Sequence, residues 1–340
     1  MRNGLRATIL HASVPPCLRA FPPVIALLAC ACVVAASPNS TAQDTEPKPA
    51  KAGATHELRP KFEEGRTSQY DFRGKRTTNT VATGPRGEIA VRRTMDSEGR
   101  VLWTVEQVNA DGSASCVMTL QWLTLTIVHG DNDPNVIDSR EQGDDDDGLA
   151  RRIAAFVAKP LRCEVGADGT VLSISGVDAI RAAIEQAQNA GGPVEDEMFL
   201  EQASTLATIP GIQSALELDA TWQSSNTWSR DYGKIHEPMD YQLTSVEQIA
   251  GIPIVTVNAR TDLGFEPDEE KLGGGRIDIQ MTEGQSTAQI IFDTQRHEVI
   301  GRNSVESFRI QISANSENLR FTSVVDEHIQ SQLVRVAEEE

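Results

Sequence analysis

The stretch from Val128 to Phe156, "VHGDNDPNVIDSREQGDDDDGLARRIAAF", carries seven Asp and one Glu. Carboxylates at this density could hold a divalent cation, exchange protons with a substrate, or keep a loop in water. Cation binding needs oxygen ligands at fixed spacing. Asp131, Asp133 and Asn135 alternate as the opening of a calcium loop does. The pattern then fails. Its sixth position is Val136 where Gly is required, and its twelfth is Gln142 where Glu is required. Asp144 to Asp147 directly precede an apolar helical run. Carboxylates there cap free N–H groups and suit the helix dipole. The stretch reads as a solvated loop ending in a helix cap, and no metal ligand is assigned.

Other chemistries leave equally little trace. No G-x-S-x-G occurs, and His56, His129, His236, His297 and His328 are scattered singly. No catalytic residue is assigned, although a triad assembled in space leaves no local signature. "KLGGGR" (Lys271 to Arg276) lacks the order of a phosphate loop and follows the anion-repelling "EPDEE". It reads as a hairpin connection, and no cofactor is implied. Trp103 and Trp122 fall inside strands and read as core, while Trp222 and Trp228 flank a polar segment. That pair reads as strand-end packing or as a platform for a sugar ring.

Chemistry of another kind is carried by "CVMTLQWLTLTI". In strict alternation, Val117, Leu123, Leu125 and Ile127 point to one face. Met118, Leu120 and Trp122 point to the other. A strand apolar on both faces needs cover on both. A ligand groove is therefore expected along one of these faces, lined either by Leu123, Leu125 and Ile127 or by Met118, Leu120 and Trp122.

The elements that must position this strand are mostly strands themselves. "GPRG", "DSEGR", "NADGS" and "GADGT" are turn signals between β-rich segments in the N-terminal half. Helices interrupt in the middle. "DGLARRIAAFVAKP" aligns Leu149, Ile153, Phe156 and Val157, and Pro160 stops it. "GVDAIRAAIEQAQNAGGP" aligns Ile180, Ala183, Ile184 and Ala187, and "VEDEMFLEQASTLA" is a weaker third. After Ile209 the strands resume. Strands, helices and strands in that order predict an α+β fold. The expected form is a large curled antiparallel sheet, a half-barrel-like meander, with two or three helices packed on one face.

The chain has 340 residues and a formal charge of −18. Such acidity repels nucleic acid and anionic lipid, so neither is an expected partner. Arg2, Arg6 and Arg19 precede the apolar run "VIALLACACVVAA" and the small-residue site Ser40-x-Ala42. This is the pattern of an export signal, 1–42, cut after Ala42. "LLAC", ending at Cys30, supplies the lesser alternative of a lipid anchor on that Cys. Residues 43–56 read as a disordered linker, 57–336 as a single folded domain and 337–340 as an acidic tail. No later apolar run is long enough to span a membrane. The expected location is periplasmic or secreted. Beyond the leader only Cys116 and Cys163 remain. An exported chain meets oxidants, so the two readings are a disulfide between them or two buried thiols.

Several segments carry a resemblance: "LRPKFEEGRTSQYDF", the acidic loop opening a helix, "KPLRCEVGADGTVLSISG", "LELDATW" and "IIFDTQRHEVI". Together they resemble a secreted family of unknown function found in planctomycete bacteria, over most of the chain beyond the leader. That family is similar in turn to the half-barrel of periplasmic lipoprotein carriers. The resemblance implies a hydrophobic groove and no activity. The departure is "RHE" (Arg296 to Glu298), where the pattern prefers a Gly-bearing turn.

The expectation from sequence is an exported, non-enzymatic protein. It binds an apolar small molecule, a lipid or an envelope partner in the concavity of a curled sheet. The alternatives are a structural or interaction protein of the envelope without a small ligand, and a hydrolase. Nothing in the sequence sets the oligomeric state.

Overall fold

The structure is a computed structural model. It describes residues 54–85, 87–141, 148–186, 196–212, 215–230, 233–249, 251–268, 277–316 and 319–336. The expected signal, most of the linker, Asp144 to Asp147, the three glycines of "KLGGGR" and the acidic tail lie outside the described residues.

Runs of alternating β-branched and polar residues form long strands here, because each buries one side and wets the other. The N-terminal set is β1 (Thr67–Gly84), β2 (Gly87–Val108), β3 (Ala114–His129), β4 (Asn135–Asp138), β5 (Pro160–Val165) and β6 (Val171–Ser175). The C-terminal set is β7 (Thr221–Arg230), β8 (Gly233–Ile249), β9 (Ile252–Asp262), β10 (Gly264–Pro267), β11 (Ile277–Asp293), β12 (Glu298–Ser316) and β13 (Leu319–Arg335). Between the sets lie α1 (Gly148–Phe156), α2 (Val177–Gln186) and α3 (Asp196–Ala207).

All the strands join one 13-stranded antiparallel sheet. β1 is central, paired with β2 on one side and with the last strand, β13, on the other. From β1 the sheet runs outward through β2, β3 and β5 to β6. In the other direction it runs through β13, β12, β11 and β9 to β8. β7 flanks β8, and β4 pairs with β3 beyond the end of β5.

The expected α+β class is overturned. The protein is one large antiparallel sheet, and its helices, of 9, 10 and 12 residues, are too short to form a layer over it. The curl of the sheet fits the expectation. α3 lies against both β6 and β12. These strands are six places apart in the sheet order, roughly 29 Å in a flat sheet at ~4.8 Å per strand. A helix about 10 Å wide touches both only where the sheet bends around it.

"DSEGR", expected as a turn, instead runs straight through β2. Gly99 serves close packing there. A Cβ at Gly99 would stand 2.4 Å from the ring of Phe72, its partner on β1. The turns at "GPRG", "NADGS" and "GADGT" fall between strands as expected. His297 takes the left-handed conformation (φ 54°) in the β11–β12 turn, a conformation that Gly adopts most readily. Its ring meets Lys61 Nζ at 3.0 Å and Arg59 O at 3.3 Å. Glu298 then lies between Arg335 Nε, at 2.8 Å, and Arg66 Nη2, at 3.0 Å, and accepts a hydrogen bond from Ser68. This ion cluster ties together one end of β1, β12 and β13.

Two main cores lie on the sheet. One joins β1, β2, β3 and β5 to the three helices. The other joins β8, β9 and β11 to Leu58 and to Ile209 and Ile212, which follow α3.

Candidate functional site: the inner face of the sheet

β3 does not alternate strictly. Leu120 pairs with Val101 and Trp122 with Arg100, so Gln121 is an extra residue with no partner on β2. A bulge of this kind shifts the side-chain phase by one. Cys116, Met118 and Leu120 point inward before it, and Leu123, Leu125 and Ile127 point inward after it. The two apolar faces expected from the sequence are one continuous face, switched in phase at Gln121. Val117 and Trp122 are the exceptions, both on the outer face. Trp122 lies beneath the Arg140 guanidinium, 4.2 Å from the ring centroid.

The bulge is tied into its surroundings. Leu120 to Leu123 fall in the gap between β5 and β4, so their backbone groups on that edge need other partners. Leu120 O accepts from Ala158 N at 2.7 Å, and Leu123 O accepts from Ser139 N at 2.9 Å. Leu123 N donates to Ser139 Oγ at 2.9 Å. Ala158, in the left-handed conformation (φ 60°), ends α1 and aims its N–H at the bulge.

The inward residues are covered. Met118 and Leu120 are 5% and 6% exposed, and Leu125 is fully buried. Their cover includes Ile153 and Phe156 of α1, Ile180 of α2, and Phe199 and Ala203 of α3. The Phe156 and Phe199 rings meet at 5.9 Å between centroids, which locks α1 to α3. Between helices and sheet remains a cavity of ≈ 20 Å³. Val101, Met118, Leu120, Leu161, Phe156, Ile180 and Phe199 line it, with Lys159 as its one charged residue. A space of this size holds about one water and no alkyl chain.

Cys116 and Cys163 are directly opposed on β3 and β5, and both are buried free thiols. Burial, with Glu164 nearby, pushes each thiol up to about 12. Tyr70 is buried beneath the same sheet and donates to Val299 O at 3.1 Å. Burial pushes its hydroxyl well above the usual range. These groups are structural at neutral pH.

Elsewhere, Asp131 and Asp133 are exposed in the β3–β4 connection. Trp222 stacks on Tyr241 (5.3 Å, 9°) and donates to Pro210 O at 2.9 Å, which fixes it as packing. One feature was missed from sequence. Glu327 is 4% exposed on the inner face, at ion-pair distance (2.5 Å) from Arg76 Nε. It alternates in phase with Val325 and Ile329, and that period was the available signal.

No protein-family model matches the sequence, nor does any curated protein at a significant level. The planctomycete resemblance has no counterpart among the matches. Solved structures match loosely. One, described by its lipid–protein interactions, is lipovitellin, with a TM-score of 0.40 and 12% identity over 82% of this chain. This chain spans 26% of that one's length. A DUF1329 family protein from Desulfovibrio piger follows at a TM-score of 0.13, with 8% identity over 75% of this chain and 83% of the other. The COG4313 outer membrane channel from Pseudomonas putida gives 0.17, with 8% identity over 83% and 99%. At these scores none carries a functional argument. No helix among the described residues is long and apolar enough to cross a membrane.

Proposed function

We propose that this is an exported, non-enzymatic protein that binds an apolar ligand between its three helices and the inner face of its sheet. One observation carries the reading. Helices of 9, 10 and 12 residues close over a continuous apolar face and leave an apolar cavity with a lysine in its lining. Met118 and Leu120 form its floor, and Leu123, Leu125 and Ile127 extend the same face along β3. An alkyl chain needs more room than ≈ 20 Å³, so binding requires the helices to move outward. Short helices held mainly by side-chain packing are suited to this.

Titration of the purified protein with 1-N-phenylnaphthylamine tests the proposal. Enhanced probe fluorescence is expected, saturating at one site. Leu120→Phe, which fills the cavity, should abolish it while leaving far-UV circular dichroism unchanged. A wild-type protein that never enhances the probe removes the ligand and leaves the interaction protein of the envelope. The filled concavity already favours that second reading, because a packed interior needs no ligand to be stable.

A further inference from the structure

The inner face beyond the helices has a different chemistry. Toward the β1–β2 turn, the inward row of β2 reads Ile89, Val91, Arg93 and Met95. Ile89 and Val91 are 66% and 50% exposed. Arg93 is opposed by Thr78 on β1 and by His129 on β3. Glu327 lies one strand further on, opposite Thr78.

Arg76 and Arg93 both approach Glu327, but only Arg76 pairs with it. The Arg93 Nε is buried and has no hydrogen-bond partner, and no carboxylate of the described residues is within ion-pair distance of it. A buried N–H without an acceptor is costly, more so when it carries charge. Burial and Arg76 disfavour the charge on Arg93, and only Glu327 favours it. The neighbouring His129 is held below its usual range by burial and by Arg93, so it is neutral at pH 7 and can take part in a hydrogen bond. The next inward carboxylate, Glu306, lies opposite Ile329 and already has a partner.

We propose that Arg93, with His129 beside it, is the head-group site for a single-chain anionic amphiphile whose alkyl chain lies along Val91 and Ile89. A carboxylate or phosphate oxygen would fill the empty acceptor position at Arg93, and a guanidinium suits either. The exposed pair on the same face gives the chain an apolar surface next to the charge. This goes beyond the helix-covered cavity. The cavity begins at Val101, roughly 26 Å further along β2 at ~3.3 Å per residue.

The test is calorimetric titration of the full chain with sodium laurate, below its micelle concentration and at low salt. Laurate should bind, and Arg93→Gln should weaken it by about tenfold or more. Arg93→Lys should recover part of the loss. Dodecyl maltoside, which has the chain without the charge, should not discriminate between wild type and Arg93→Gln. Inorganic phosphate, which has the charge without the chain, should give no measurable heat. Should Arg93→Gln fail to fold, Val91→Asp serves as the second variant, because Val91 is half exposed, and it should also abolish binding. Equal laurate affinity in wild type and either folded variant overturns the proposal. So does phosphate binding as tightly as laurate, which would mark an adventitious ion only. Neither result touches the phenylnaphthylamine test of the cavity.

Discussion

Cys116 and Cys163 face each other across β3 and β5, and both side chains are buried. Directly opposed antiparallel residues have Cα atoms about 4.5–5.5 Å apart, within the range a disulfide spans. In the folded chain, burial holds each thiol near 12, so almost no thiolate exists at neutral pH. Thiolate is the form that attacks a disulfide. The bond should therefore form before β5 docks or not at all. Refolding with oxidised glutathione should give a cystine, lighter by two hydrogens, as two glutathiones are released. Native reduced protein in the same buffer should stay reduced. The cystine should raise stability by about 2–4 kcal/mol. Refolded wild type and Cys116→Ser melting together under oxidising conditions would show that no bond forms.

Gly99 and Phe72 make a second cross-strand prediction. The Phe72 ring occupies the place of a Cβ at Gly99, and Trp122 O lies 2.6 Å from that point on the other side. Neither neighbour can yield easily, since one is a packed ring and the other is backbone. Gly99→Ala should cost about 1–3 kcal/mol by overpacking. Urea unfolding measures this. A neutral result would mean that the strands separate at this point without penalty.

The alternating strands and most hairpin turns were legible because they depend on local chemistry. Glycines in the left-handed conformation at Gly112 and Gly169 sit where Asp-Gly signals placed them. What the alternation could not reveal was the bulge at Gln121. A bulge leaves no residue signature when the extra residue is an ordinary polar one, so the strand was divided between two faces. The helices were found, but their weight in the fold was overread. A helical pattern gives length and face, and only packing shows whether helices form a layer. The candidate site was half legible. Met118 and Leu120 were named, whereas Lys159 lines the cavity because the turn after α1 is bonded to the bulge through Ala158 N and Leu120 O. Arg93 was missed because its unmet N–H is a property of the assembled face.

Asp138 and Arg140 set a pH dependence on the outer face. Arg140 donates to the Asp138 carboxylate from Nε at 2.9 Å and from Nη2 at 2.5 Å, and Thr124 donates at 2.9 Å. The Arg140 guanidinium, first among these causes, holds the carboxyl well below its usual range. A depressed carboxyl pKa gives stability that is present above the unfolded value of about 3.9 and lost as pH falls toward the folded value. Arg140 is half exposed, so solvent screening keeps the contribution small. Asp138→Asn should lower the melting temperature at pH 7, and the difference from wild type should shrink below pH 4. A constant difference across that range would assign the loss to the packing of Arg140 over Trp122 instead of charge.

The bulge yields the sharpest contrast. Gln121 is exposed and has no partner on β2, with Leu120 and Trp122 paired to consecutive residues on either side of it. Deleting Gln121 would join those two pairs into a regular ladder. Leu120 would still face in, Trp122 out and Leu123 in. The deletion should therefore fold cooperatively, at a cost of about 1–3 kcal/mol for local twist lost and for strain in the Ala158–Leu120 bond. Deleting Thr124, three residues on, should behave differently. With no bulge there to absorb the change, Leu125 and Ile127 would turn outward, and a one-residue slip of this kind reverses every later side chain. Both residues are at most 4% exposed in the core, so that variant should not fold. Thermal melts of the two deletions decide the matter. If the Gln121 deletion unfolds as completely as the Thr124 deletion, the phase switch is wrong and β3 has two apolar faces after all.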